Sequence, residues 1–99
     1  MNDQELLEMA AKAADYDVMR TMSGRIVVDF KVWGPLDDDG DAFRLAMKLE
    51  MTLCTHGMGV YANSGDLMCS SPECTDNDRP ALVRRTIVRL AAKIGSLKP

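Results

Sequence analysis

The stretch that most constrains this chain runs from Trp33 to Leu49: Trp-Gly-Pro-Leu-Asp-Asp-Asp-Gly-Asp-Ala-Phe-Arg-Leu-Ala-Met-Lys-Leu. A strand is expected to end at Trp33, and Gly34-Pro35 then turns the chain. Asp37, Asp38, Asp39 and Asp41 gather where a helix should begin. Ala42, Leu45, Ala46 and Leu49 recur at spacings of three and four, which places them on one helical face. Carboxylates suit the start of such a helix, because they accept bonds from its unpaired first N–H groups and meet the positive end of its dipole.

The rest of the chain supplies two more helices and the strands between them. Asn2 with Glu5 resembles a capping box, and Leu6, Met9, Ala10 and Ala13 line a helix fading near Asp15. Tyr16 to Gly24 reads as a connector. Arg25 to Trp33 reads as one continuous strand, with Ile26, Val28, Phe30 and Val32 on its apolar face. A helix from about Asp39 to Glu50 follows. Met51 to His56 reads as a second strand, with a helix overrunning to Leu53 as the competing reading. Gly57-Met-Gly59 is a turn and Val60-Tyr-Ala62 a third strand, making a hairpin that Asn63-Ser-Gly65 ends. Asp66 to Asp78 is dense in Ser, Pro, Asp and Asn and reads as a loop. In the last helix Asp78 is the N-cap, Pro80 lies in the first turn, and Val83, Ile87, Leu90 and Ile94 form an apolar stripe. Gly95 is placed to stop it. The expected order is helix, strand, helix, strand, strand, helix in a single α+β domain spanning residues 1–99, with a small, mainly antiparallel three-stranded sheet.

Composition narrows the function classes. With 46% hydrophobic and 27% charged residues, the 99-residue chain is built like a soluble globular domain, and eight methionines make up for few aromatics. The acidic start, Asp3, Glu5 and Glu8, does not resemble an export signal. No uncharged apolar run approaches the roughly 18 residues of a spanning helix. Three irregularly spaced cysteines point to a reducing compartment. A cytoplasmic protein that does not engage a membrane is expected. Charge is unevenly spread. Residues 1–78 carry fifteen acids and six bases, a net of −9, while 79–99 carry six bases and no acid, a net of +6. Such asymmetry marks either a site for an anion or a basic helix lying on an acidic body, and the second is the plainer account.

Two segments carry a family resemblance. Residues Trp33 to Leu49 resemble the Trp-x-Pro-Leu…Asp-Asp-Gly-Asp-Ala-x-Arg-Leu-Ala-x-Lys-Leu segment of small bacteriophage and prophage proteins, the phage ABA-sandwich domain family. Ala81 to Gly95, Ala-Leu-Val-Arg-Arg-Thr-Ile-Val-Arg-Leu-Ala-Ala-Lys-Ile-Gly, is similar to the helix that closes such proteins. Gly34 stands where Asn is common, and Cys54 to Asp78 has no counterpart. The resemblance implies a three-layer helix/sheet/helix sandwich encoded by a phage, hence a host-cytoplasm address. It implies no activity and no site residues.

Four constellations carry chemistry worth weighing. The Asp cluster does not fit a calcium-binding EF-hand, since a loop starting at Asp37 would place Ala42 and Lys48 where glycine and glutamate are needed. A looser carboxylate site through Asp37, Asp39 and Asp41 is the alternative to helix capping, and capping is preferred. Cys54, His56, Cys69 and Cys74 contain the atoms of a zinc site without the usual paired-cysteine spacing. Cys54 beside His56 has the elements of a thiol nucleophile and base, yet no third group is placed. Arg84, Arg85, Arg89 and Lys93 form an arginine ridge, and arginine's planar fork suits phosphate and carboxylate. Its plainer reading is a solvated ridge paired with acids of neighbouring elements.

The sequence therefore points away from an enzyme and calls for no cofactor. It fits an interaction protein that binds a host or phage macromolecule, with self-association as one route. An anionic ligand (nucleotide, RNA or DNA) on the arginine ridge is the alternative, and a small zinc-binding protein the third.

Overall fold

In a computed structural model, described for residues 3–16, 18–20, 26–28, 31–54, 60–65, 67–71 and 79–97, α3 (Arg79–Ser96) is the element that meets both other helices and one of the sheets. It packs against α1 (Asp3–Ala13), α2 (Asp39–Lys48) and two strands of a sheet. This explains a burial pattern wider than a single stripe. Thr86, Ile87 and Val88 are buried together, and so are Leu90, Ala91 and Ala92. A helix covered on several sides needs apolar or internally satisfied residues most of the way round. Thr86 meets that demand by donating its hydroxyl to the Leu82 carbonyl at 2.6 Å.

The strands form two antiparallel three-stranded sheets. The first is β1 (Val18–Arg20), β2 (Ile26–Val28) and β3 (Lys31–Val32), in chain order. The second is β4 (Thr52–Cys54), β5 (Val60–Ser64) and β6 (Leu67–Ser71), also in chain order, and α3 lies on β5 and β6. The class is α+β, with helices packed on an antiparallel three-stranded sheet. The order expected from the sequence is consistent with the chain once the added strands are counted.

Three local expectations are corrected. The strand read across Arg25–Trp33 is two antiparallel strands, because Val28 pairs with Lys31 and Val27 with Val32. Val32, placed on the apolar face of a continuous strand, is exposed. The connector Tyr16–Gly24 contains β1, which pairs Val18 with Val28. The loop Asp66–Asp78 contains β6, which pairs with β5 from Ser64↔Leu67 to Val60↔Ser71. Gly65, at φ +60, supplies the left-handed residue beside that closing pair. The expected capping by Asn2 and Asp78, the turn at Gly57–Gly59 and the position of His56 lie outside the described residues.

Both short helices stop in the same way. At the end of α1, Tyr16 N–H donates to the Ala11 carbonyl and Asp15 N–H to Lys12, with Asp15 at φ 60. At the end of α2, Met51 N–H donates to Ala46 and Glu50 N–H to Met47, with Glu50 at φ 54. These paired bonds are Schellman caps, which satisfy the last carbonyls and swing the chain out of the helix. The second cap turns the chain straight into β4, which decides between the two readings of Met51–Leu53. α2 ends at Lys48, and Thr52–Cys54 is strand.

Gly95 does not end α3. It lies inside the helix and is buried against α1, where a Cβ would overlap the Met9 carbonyl oxygen and sit 2.9 Å from its carbon. The core alongside is correspondingly small-grained: Ala10, Ala11 and Ala14 of the α1 segment cluster with Ile87, Val88 and Ala91 of α3. Trp33, Ala42, Leu45 and Ala46 complete the cluster, with Tyr16 edge-on to Trp33 at a ring-centroid distance of 5.7 Å.

Candidate functional site

The turn into α2 is held by its acids. Asp38 is the N-cap, and its carboxylate accepts from Asp41 N–H at 2.8 Å. Asp41 reaches back to accept from Gly34 N–H at 3.0 Å and takes a 2.6 Å bond from Arg44. Asp37 and Asp38 N–H both donate to the Gly34 carbonyl. Asp39 is paired across the fold with Arg84 Nη1 at 2.5 Å. Capping and pairing thus engage Asp38, Asp39 and Asp41 with protein groups.

The arginine ridge on α3 is occupied from the same side. Arg84 is half-buried, and besides Asp39 its Nε donates to the Leu36 carbonyl at 2.9 Å. One guanidinium therefore fastens α3 to the turn ahead of α2. Arg85 pairs with Asp3 at the start of α1, 2.9 Å away. Lys93 Nζ donates to the Met68 carbonyl on β6 at 3.1 Å. Arg89 is exposed and, among the described residues, has no paired acid. Arg84 and Arg85 are thus paired with acids of α2 and α1, and Lys93 with a backbone carbonyl of β6.

The cysteine and histidine set is only partly in view. Cys69 lies on β6 opposite Ala62 and is half-buried. Cys54 lies on β4 opposite Tyr61, which puts it in a different row of the sheet. His56 and Cys74 lie outside the described residues. Among the described residues, no three His, Cys, Asp or Glu side chains gather closely enough to hold a metal ion.

One surface was not anticipated. Leu45, Ala42 and Ala46 turn one face of α2 into the core, while Phe43 and Met47 stand on the opposite face, 60% and 64% exposed. They are four residues apart, so their side chains neighbour one another one turn apart. Arg44 and Lys48 flank them. The signal was present in the sequence. Once Ala42, Leu45 and Ala46 are assigned inward, the helical period sends Phe43 and Met47 outward.

No family model, no curated protein and no solved structure matches the chain. Among the described residues, no helix is long and apolar enough to cross a membrane.

Proposed function

We propose that this chain is a non-enzymatic interaction protein that binds a protein partner through the outer face of α2. The observation that carries the reading is the exposed pair Phe43 and Met47. Two large apolar side chains side by side in water gain free energy when a partner covers them. A flexible thioether beside an aromatic ring adapts readily to an apolar pocket. Lys48 stands beside them as a cation at the rim, while Arg44 is held by Asp41, so a carboxylate at the edge of the partner's apolar centre suits Lys48. The phage origin implied by the two resembling segments makes that partner a host or phage protein.

The anionic-ligand alternative is weaker on the same geometry, since a ligand would have to displace Asp3 from Arg85 and Asp39 from Arg84. A single comparison tests the choice. Full-length protein is used as bait, and each variant is first checked for an unchanged circular dichroism spectrum. A partner retained by the native chain is expected to be lost by Phe43→Asp/Met47→Asp and kept by Arg85→Glu/Arg89→Glu. The reverse pattern would overturn the proposal and move the site to the ridge.

A further inference from the structure

Among the described residues, β6 has a strand neighbour on one side only. The register fixes which backbone groups stand at its other edge. Two residues separate the paired Ser64 and Leu67, and a two-residue hairpin is closed by a pair that exchanges both backbone bonds. By alternation Ala62 and Cys69 form the next such pair. Met68 and Ser70 are then left with their N–H and C=O groups directed away from β5. The Lys93 ammonium, donating to the Met68 carbonyl, agrees with that direction.

We propose that this edge is where two copies of the chain pair, β6 against β6 and antiparallel about a two-fold axis at Cys69, and that Lys93 controls the pairing. The edge is complementary to itself. With the axis at Cys69, Met68 of one copy falls opposite the partner's Ser70, and both present outward backbone groups, so each pair exchanges two bonds. An axis displaced by half a residue sets Met68 opposite the partner's Ser71, whose groups already serve β5. Leu67–Ser71 contains no charge and no proline, the features that keep natural edges apart. The guard is instead borrowed from α3. Lys93 occupies one of the carbonyls that pairing requires, and two-fold pairing would bring two ammonium groups toward each other. Pairing is therefore weak while Lys93 is charged and strengthens when it is neutralised. This surface is separate from the α2 face, and either stands without the other.

Sedimentation velocity across a concentration series tests it. Lys93→Met cannot donate and carries no charge, and is expected to dimerise about tenfold more tightly than the native chain. Adding Ser70→Pro removes an outward N–H without touching the β5 ladder, and is expected to abolish that dimer. A Lys93→Met chain that stays single at every concentration, or a dimer indifferent to Ser70→Pro, overturns the proposal. The register has its own readout. In Lys93→Met with Cys54→Ala and Cys74→Ala, oxidised glutathione accepts two electrons and two protons from a pair of Cys69 thiols. Facing residues of a non-hydrogen-bonded antiparallel pair have Cα atoms about 4.5 Å apart, within disulfide reach. A covalent dimer through Cys69 is expected, and a dimer that resists this cross-link refutes the axis.

Discussion

α1 and α2 both pack on α3, but different materials hold them there. On the α1 side the buried join is made of very small side chains, and the Arg85–Asp3 pair lies exposed outside it. Ala10, Ala11, Ala13 and Ala14 are buried, and Gly95 lets the α3 backbone approach the Met9 carbonyl. On the α2 side the join is apolar below, through Ala42, Leu45 and Ala46, and polar at the entrance, where Arg84 grips Leu36 and Asp39. A seam of alanines and glycine gains its energy from close backbone approach and has no slack. A tether of hydrogen bonds fixes orientation, and it leaves the opposite face of the helix free to carry Phe43 and Met47. The first join sets the distance between two backbones, while the second sets the orientation of α2.

The sharpest way to break that contrast is Gly95→Ala. In an ordinary helix interior this change stabilises by about 1 kcal/mol, because alanine is the better helix former. Here the new methyl would meet backbone rather than a flexible side chain, and the helices must part. Overpacking of this kind costs about 3 kcal/mol, so the clash outweighs the propensity gain. Urea denaturation should give a net loss of about 2 kcal/mol. A more stable Gly95→Ala protein would mean that the α1–α3 seam is not close-packed at this point.

Arg84→Ala addresses the other join. A hydrogen bond from a charged donor contributes about 1.5–3 kcal/mol where it is sheltered, whereas a pair with an exposed carboxylate contributes at most about 1 kcal/mol. Leu36 accepts from the half-buried side of the guanidinium, and Asp39 is exposed. The expected loss is about 1.5 kcal/mol, with Asp39→Ala alone costing under about 0.5 kcal/mol. Lysine at position 84 should recover little, since a single ammonium cannot reproduce the planar fork. Equal losses for Arg84→Ala and Asp39→Ala would show that the ion pair, and not the carbonyl, ties α2 down.

The contrast was only half legible in the sequence. Helical periodicity set out the apolar stripes of α2 and α3, and the acids before α2 announced its cap, because both signals are local. By sequence Gly95 is a helix stop, since glycine near a helix end fits either role. Only the backbone of Met9 and Ala13 on α1, more than eighty positions away in the chain, shows that it is a point of contact. The partners of Arg84 and Arg85 are 45 and 82 positions distant, so ridge spacing was visible but its occupancy was not. β6 was hidden by its polar surroundings, although Gly65-Asp66 between two short runs is a hairpin signal in its own right. The reversal between β2 and β3 had no comparable mark, because alternation continues unbroken through Asp29 and Phe30.

The smallest expected effect compares the two helix ends. Asp15 and Glu50 occupy equivalent positions in their caps, both in the left-handed region. That conformation costs an L-residue about 1–2 kcal/mol. Aspartate offsets part of the cost with a short side chain able to bond locally, whereas glutamate's carboxylate stands one carbon further out. Glycine at position 50 removes the strain but adds freedom to the unfolded chain, a loss of about 0.5–1 kcal/mol. Glu50→Gly should therefore stabilise the protein by about 0.5 kcal/mol, and Asp15→Gly by less. Glu50→Ala separates backbone from charge, because alanine removes the carboxylate and keeps the strain, so it should give no gain. If Glu50→Ala matches Glu50→Gly in thermal denaturation, charge at the α2 terminus and not its left-handed cap limits stability there, and the two ends are not equivalent after all.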